Sequence, residues 1–318
     1  VSWIANGSIP TDSRRYYFIY FDLEDSPYGM KQIPTLLSQI IESCDDPFIV
    51  ASNDIGEHEI RSIDGTNETF GNKFSTALIY GDNQRAGGMI FDYDFDGDCD
   101  YLFAAEVGGG NDHIYIYEQT ATGIFSNTAN YSLYAQMNNY EMGSAAGDFN
   151  NDGYFDMVIS PNLNDIWMSK GAVGGTFGSN DLVDGALTEE IRCLDNSDFD
   201  KDGNEDLLVG LDETNRFFIY MGDGNGNLVL NDSYEISSDG GNADIYACSA
   251  ADFNNDGSPD VIVGSGSAGN IYLYLNDGKA SFSATTPQGT PLIDRTNTGG
   301  IDNFDIDGDG DQDLIISD

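Results

Sequence analysis

Five segments of nine residues carry oxygen-bearing side chains at alternating positions with a glycine at the sixth, an arrangement able to enclose a cation. The first runs through Asp92, Asp94, Asp96, Gly97, Asp98 and Asp100, and the second through Asp148, Asn150, Asp152, Gly153, Tyr154 and Asp156. The third holds Asp198, Asp200, Asp202, Gly203, Asn204 and Asp206; the fourth Asp252, Asn254, Asp256, Gly257, Ser258 and Asp260; the fifth Asp305, Asp307, Asp309, Gly310, Asp311 and Asp313. Side chains at positions 1, 3, 5 and 9 converge, the glycine at position 6 permits a positive-φ turn, and the carbonyl of position 7 adds one more oxygen. Position 7 is Asp98, Tyr154, Asn204, Ser258 or Asp311. An all-oxygen set without His or Cys selects a hard cation, and a flexible loop suits Ca²⁺ better than Mg²⁺, which demands stricter octahedra. About five Ca²⁺ per chain are therefore expected, one for each segment.

Two other readings of the same residues are weaker. An EF-hand loop needs an acidic ligand at position 12 and flanking helices. Position 12 here is Phe103, Ile159, Val209, Val263 or Ile316, all apolar. Plain Asp/Asn/Gly turns would explain single segments, but five in register bring 18 carboxylates to positions 1, 3, 5 and 9, where they repel one another unless a cation offsets them.

The elements that must position these loops repeat with them. First residues of successive segments lie 56, 50, 54 and 53 residues apart. Each segment leads into an apolar run, Tyr101 to Phe103, Met157 to Ile159, Leu207 to Val209, Val261 to Val263 and Leu314 to Ile316, which reads as a buried strand. In the first four copies a second β-rich run follows (Ile114 to Tyr117, Ile166 to Met168, Phe217 to Tyr220, Ile271 to Tyr274), then a Gly-bearing turn and an apolar anchor at Phe125, Phe177, Leu228 or Phe282. The unit is a strand, an acidic loop and three further strands in about 53 residues. Tandem four-stranded units of this length predict an all-β chain folded as a β-propeller. A string of independent small β-domains is the alternative, disfavoured because one unit cannot easily bury a core alone.

These loops, each set between two strands, resemble the FG-GAP/VCBS repeats of integrin-α-type β-propellers, and the resemblance covers at least residues 85–318. It implies a calcium-bearing propeller on an extracellular or cell-surface protein, with the cations holding hairpin loops on one face. The same repeat serves adhesion receptors, lectins and scaffolds of some polysaccharide lyases, so fold and metal are implied more sharply than a ligand.

Before the first clear loop, Phe48 to Val50 and Ile60 to Ile63 read as strands, with a turn at Gly65 and an anchor at Phe70 or Phe74. That blade's own acidic loop is read at Asp22 to Ser26, after a strand from Tyr16 to Phe21. Asp22 lies 70 residues before Asp92, and removing 28–44, where Ile33, Leu36, Leu37, Ile40 and Ile41 have helical spacing, restores 53. The expectation is one propeller over 1–318 with a short helical insertion at 28–44. The rival is a separate α/β domain over 1–45, with Asp22 to Ser26 as a distorted von Willebrand A-type metal site, before a propeller over 46–318. Val1 to Ile4 completing the blade begun at Leu314 would close six blades, the favoured number; if the chain, which opens without Met, is a fragment, the number would be seven or more.

A formal charge of -43, from 55 Asp+Glu against 12 Lys+Arg, excludes nucleic acid and anionic membrane as partners. Apolar runs are too short to span a bilayer as helices. Cys44, Cys99, Cys193 and Cys248 lack paired metal spacing and leave the redox compartment open. His58 and His113 form no metal or catalytic motif, and no nucleophile–base pair stands out, so an enzyme is not expected. Sequons at Asn6, Asn67, Asn130 and Asn231 lend weak support to export. The first expectation is a calcium-stabilised recognition or adhesion module binding protein or glycan through propeller loops, extracellular or at the cell surface. A structural subunit of a surface filament or envelope assembly is the second, and the scaffold of a polysaccharide lyase the third. The lyase would need a basic cleft for its anionic substrate from only 14 Lys, Arg and His (12 + 2) in the chain.

Overall fold

The computed structural model describes residues 48–52, 57–64, 69–78, 88–94, 96, 100–107, 111–121, 124–132, 143–160, 164–173, 175–185, 187–212, 214–236, 244–265, 270–285, 300–304 and 310–317. The strand at Tyr16 to Phe21, the loop at Asp22 to Ser26, the helix at 28–44 and closure through Val1 to Ile4 lie outside them. Every described element is a strand, and no described helix is long and apolar enough to cross a membrane.

The strands form successive antiparallel sheets in chain order. β1 (Phe48–Ser52), β2 (Glu57–Asp64) and β3 (Thr69–Leu78) make a three-stranded sheet that includes both early strand predictions. Four-stranded sheets follow: β4 (Gly88–Phe91), β5 (Asp100–Val107), β6 (Asn111–Ala121) and β7 (Ile124–Ser132), then β8 (Ser144–Gly147), β9 (Asp156–Ile159), β10 (Ile166–Ala172) and β11 (Thr176–Asp184). Next come β12 (Ile191–Ser197), β13 (Asp206–Leu211), β14 (Arg216–Gly222) and β15 (Leu228–Glu235), and β16 (Ile245–Ala251), β17 (Asp260–Ser265), β18 (Ile271–Asn276) and β19 (Phe282–Ala284). β20 (Gly300–Phe304) and β21 (Asp313–Ser317) form a two-stranded sheet. Each acidic segment joins the first two strands of its sheet, and its ninth residue opens the second.

Apolar runs follow the loops because second strands are covered on both sides. β9, β13 and β17 are buried along their whole length. Alternate side chains point to opposite neighbours, as the two-residue strand period requires. Leu207 and Val209 pack with Ala145, Phe149 and Val158 of the preceding sheet, whereas Leu208 packs with Val261 and Val263 of the following one. Met157 and Ile159 likewise turn back to Phe91, Leu102 and Ile116. Each such side chain contributes about 1.5–3 kcal/mol of burial, supplied by a neighbour rather than by its own sheet. Shared cores of this kind exclude independent β-domains over these sheets.

The first strands β4, β8, β12, β16 and β20 lie beside one another in sequence order. Polar contacts tie them edge to edge: the Ala250 N–H donates to the buried Asp195 Oδ2 at 3.0 Å, and Asn303 Nδ2 donates to Ser249 Oγ. A disulfide joins Cys193 on β12 to Cys248 on β16. Fourth strands face outward; on β15 the anchor Leu228 is buried while Val229 and Leu230 are exposed.

Candidate metal centres

The loop over 148–156 shows how its sequence folds locally. The carboxylate of Asp148 accepts the Asp152 N–H on Oδ1 (3.0 Å) and the Gly153 N–H on Oδ2 (2.8 Å), drawing the chain into a tight ring. Asn150 Oδ1 also accepts from the Asp152 N–H (2.9 Å), and Asp152 Oδ1 accepts from the Tyr154 N–H (3.0 Å). The same four bonds recur in the next loop, where Asp198, Asp200 and Asp202 accept from Asp202, Gly203 and Asn204 at 2.9–3.1 Å. They recur again where Asp252, Asn254 and Asp256 accept from Asp256, Gly257 and Ser258 at 2.7–3.0 Å. In the first loop Asp92 and Asp94 both accept from the Asp96 N–H. Gly153, Gly203, Gly257 and Gly310 have φ of 85–96°, as the turn at position 6 requires.

Position 9 enters from the sheet. Asp100, Asp156, Asp206 and Asp260 are fully buried. Each is pinned by a backbone N–H of the third strand: Gln119 to Asp100 Oδ1, Gly171 to Asp156 Oδ1, Gly222 to Asp206 Oδ1 and Asn276 to Asp260 Oδ1, at 2.8–2.9 Å. Carboxylate oxygens of Asp198, Asp200 and Asp206 lie within 4.8 Å of one another, as do those of Asp92, Asp94 and Asp96. Positions 1, 3 and 9 are thus brought together in the third loop, and positions 1, 3 and 5 in the first. Asp98 and the trio Asp305, Asp307 and Asp309 lie outside the described residues; Asp311 is exposed and Asp313 opens β21.

Electrostatics test the fit to a cation. Burial, with the neighbouring carboxylates adding to it, pushes Asp100 and Asp206 up to about 8, Asp156 to about 7 and Asp198 and Asp260 to about 6. Asp94 is raised to about 6 by burial and by Asp96 and Asp92. The second oxygen of position 9 faces the N–H of position 2: Phe199 donates to Asp206 Oδ2 at 2.9 Å and Tyr93 to Asp100 Oδ2 at 3.2 Å, and the Phe149 and Phe253 N–H groups act on Asp156 and Asp260 in the same sense, opposing the effect of burial. A hard cation meets the need of the ring, since it would supply opposite charge to carboxylates held together in a half-buried loop. The donor set fits a hard cation, which the side chains of positions 1, 3, 5 and 9 and the carbonyl of position 7 would hold.

Two groups of residues escaped the sequence. Position 4 adopts a left-handed conformation in three loops, at Asn151, Lys201 and Asn255; asparagine, which tolerates that region, was the available signal in two of them. Gly171 and Gly222 had no special role as turn glycines, yet a Cβ on either would lie 2.0 Å from the backbone oxygen of Phe155 or Glu205. In these two sheets the bare backbone lets the third strand lie against that carbonyl, whereas Gln119 and Asn276 hold the equivalent place in two others. Gly222→Ala is expected to cost about 1–3 kcal/mol, read as a lower melting temperature. Gly178→Ala, whose Cβ would meet only the Lys170 oxygen at 3.5 Å, is expected to stay within about 0.5 kcal/mol.

Comparison with known proteins agrees with this architecture. The fold is similar to the crystal structure of a putative 6-phosphogluconolactonase from Bacteroides uniformis, with a TM-score of 0.53 and 11% identity over 79% of this chain and 70% of that one. At that identity the likeness speaks for the fold alone. No curated protein matches. The model of the FG-GAP-like repeat matches three times, over 92–159, 198–263 and 252–316, together more than half of the chain. Those stretches contain all five acidic loops, and the chain belongs to the FG-GAP-like repeat family.

Proposed function

We propose that the protein is a calcium-stabilised recognition module, extracellular or at the cell surface, that binds a protein or a glycan through the loops of its propeller. The observation that carries this reading is the convergence of the Asp198, Asp200 and buried Asp206 carboxylates within 4.8 Å of one another, inside a loop already closed into a ring. Such loops suit the calcium levels met outside cells, on the order of 10⁻⁴ to 10⁻³ M for extracellular modules. The Cys193–Cys248 disulfide supports an oxidising compartment, and the exposed Asn231 sequon is compatible with it. Recognition rather than catalysis is favoured because the conspicuous carboxylates are engaged in the metal loops. Bound calcium shapes the binding surface by fixing one face of the repeat; chemistry at a substrate is not its role.

The test has two readouts on one sample. Elemental analysis is expected to find about five calcium ions per chain. Arrays of glycans and purified surface proteins, probed in calcium and in EDTA, are expected to give binding that calcium supports and EDTA abolishes. Calcium without any binding partner would overturn recognition and favour a structural building block; no bound calcium would overturn the metal reading itself.

A further inference from the structure

The left-handed residue at position 4 sits between two ligand positions, yet its side chain leaves its own loop. Asn151 Nδ2 donates to Asn204 Oδ1 at 2.8 Å, and Asn255 Nδ2 donates to Asp311 Oδ1 at 2.6 Å. Asn204 and Asp311 are the seventh residues of the next loops along the chain. Between these pairs, the Lys201 ammonium lies beside the loop and last turn of the sheet after it: a Cβ on Gly278 would lie 3.4 Å from Lys201 Nζ, and one on Gly257, the sixth residue of the next loop, 3.8 Å. Position 4 of three consecutive loops thus lies toward the following loop, by a hydrogen bond to position 7 at Asn151 and Asn255 and by the nearby ammonium at Lys201, with φ of 56°, 63° and 58°.

Backbone bonds follow the same path. Phe149 and Phe199, the second residues of their loops, accept through their carbonyls from Gly226 (2.9 Å) and Ala280 (3.1 Å), in the last turn of the following sheet. One sheet earlier, a Cβ on Gly175 would lie 2.8 Å from Asp94 Cβ, so that turn too closes on the preceding loop. The reached residue in turn holds a ligand: Asn204 donates its N–H to Asp202 Oδ1 (2.9 Å) and its Nδ2 to Asp202 Oδ2 (2.8 Å). A continuous line thus runs from ligand positions 3 and 5 of one loop, through Asn151 and Asn204, to position 5 of the next.

We propose that the side chains of Asn151, Lys201 and Asn255 couple neighbouring metal loops, so that a cation bound in one loop raises the affinity of the next. The inference rests on the calcium reading above. A cation that orders one loop fixes the backbone at position 4, which aims the side chain and orders position 7 of the following loop. The second cation then meets a loop whose ordering cost has already been met. Coupling of this kind is commonly at least fivefold and acts in both directions.

Calorimetric titration of the EDTA-treated full chain with calcium tests it, at a temperature where the chelated chain keeps its native circular dichroism so that folding adds no cooperativity. The comparison is with a variant carrying Asn151→Gly, Lys201→Gly and Asn255→Gly, since glycine keeps the positive φ while removing the reaching groups. The expected result is a Hill coefficient clearly above one in the parent and near one in the variant, at equal stoichiometry, with the midpoint about fivefold higher. A lower melting temperature in saturating calcium with an unchanged Hill coefficient would mean a merely structural role and would overturn the proposal. Calcium that binds the parent without cooperativity would overturn the coupling and leave the metal reading standing. No bound calcium would overturn both.

Discussion

Chelation is expected to lower the melting temperature by more than about 10 °C, with re-added calcium restoring it. A site filled at tenfold excess over its dissociation constant stabilises the folded state by about 1.4 kcal/mol, and five sites together by about 7 kcal/mol. Each kcal/mol corresponds to about 2–4 °C in a domain of roughly 150–250 residues, somewhat less in a longer chain. The metal-free state also carries a penalty that varies with pH. Burial raises the position-9 carboxylates above their ordinary range, to about 6 for Asp260, 7 for Asp156 and 8 for Asp100 and Asp206. Where the folded pKa is the higher one, the folded state holds more protons than the unfolded chain, so stability falls as pH rises between the two values. In EDTA the melting temperature is therefore expected to decline from about pH 4 to about pH 8 on account of these groups. In saturating calcium the ionised form gains a partner and the decline is expected to be suppressed. Thermal melts across that range, with and without EDTA, read both effects. Coincident curves would mean that the loops are turns without a metal.

The part of this site legible in the sequence was the part that side chains write. Alternation of Asp and Asn with a glycine at position 6 gave the ring, because the same groups that suit a cation also accept the loop's own N–H groups, as Asp148 and Asp198 do. Apolar triplets such as Leu207 to Val209 gave the second strands, because both faces of each are covered and no polar residue interrupts them. What stayed hidden was written in the backbone or across sheets. Gly222 matters through a missing Cβ against the Glu205 carbonyl, which no residue pattern marks. Asp195 reads as one more acidic residue, although it is buried and receives the Ala250 N–H of the neighbouring first strand. Cys193 and Cys248 lie 55 residues apart, about one repeat, yet they are not equivalent in their repeats: Cys193 precedes its loop's first Asp by five residues and Cys248 by four. Repeat arithmetic alone could not have paired them.

That disulfide carries the second large expected effect. Closing a loop with its ends 55 residues apart removes chain entropy from the unfolded state worth about 4 kcal/mol in the loop-closure model. Both cysteines also belong to the core shared by their two sheets, together with Phe217, Leu208 and Val263. Cys193→Ala with Cys248→Ala is therefore expected to lower stability by about 4 kcal/mol in calcium, read from urea unfolding midpoints, and free-thiol titration of the native parent is expected to find neither cysteine reactive. Reactive thiols at both positions, or an unchanged midpoint, would sink the prediction. Five residues of extended strand and loop separate Cys193 from Asp198, about 16 Å at the usual rise. At that separation the disulfide and the metal loops should act additively. Loss of both amounts to about 11 kcal/mol, against a total of about 5–15 kcal/mol for folded domains. Either anchor alone is then expected to leave a folded chain at 25 °C, while the cysteine-free variant in EDTA is expected to be largely unfolded. A reducing, calcium-poor compartment would withhold both anchors at once, and a calcium-rich, oxidising one would supply both.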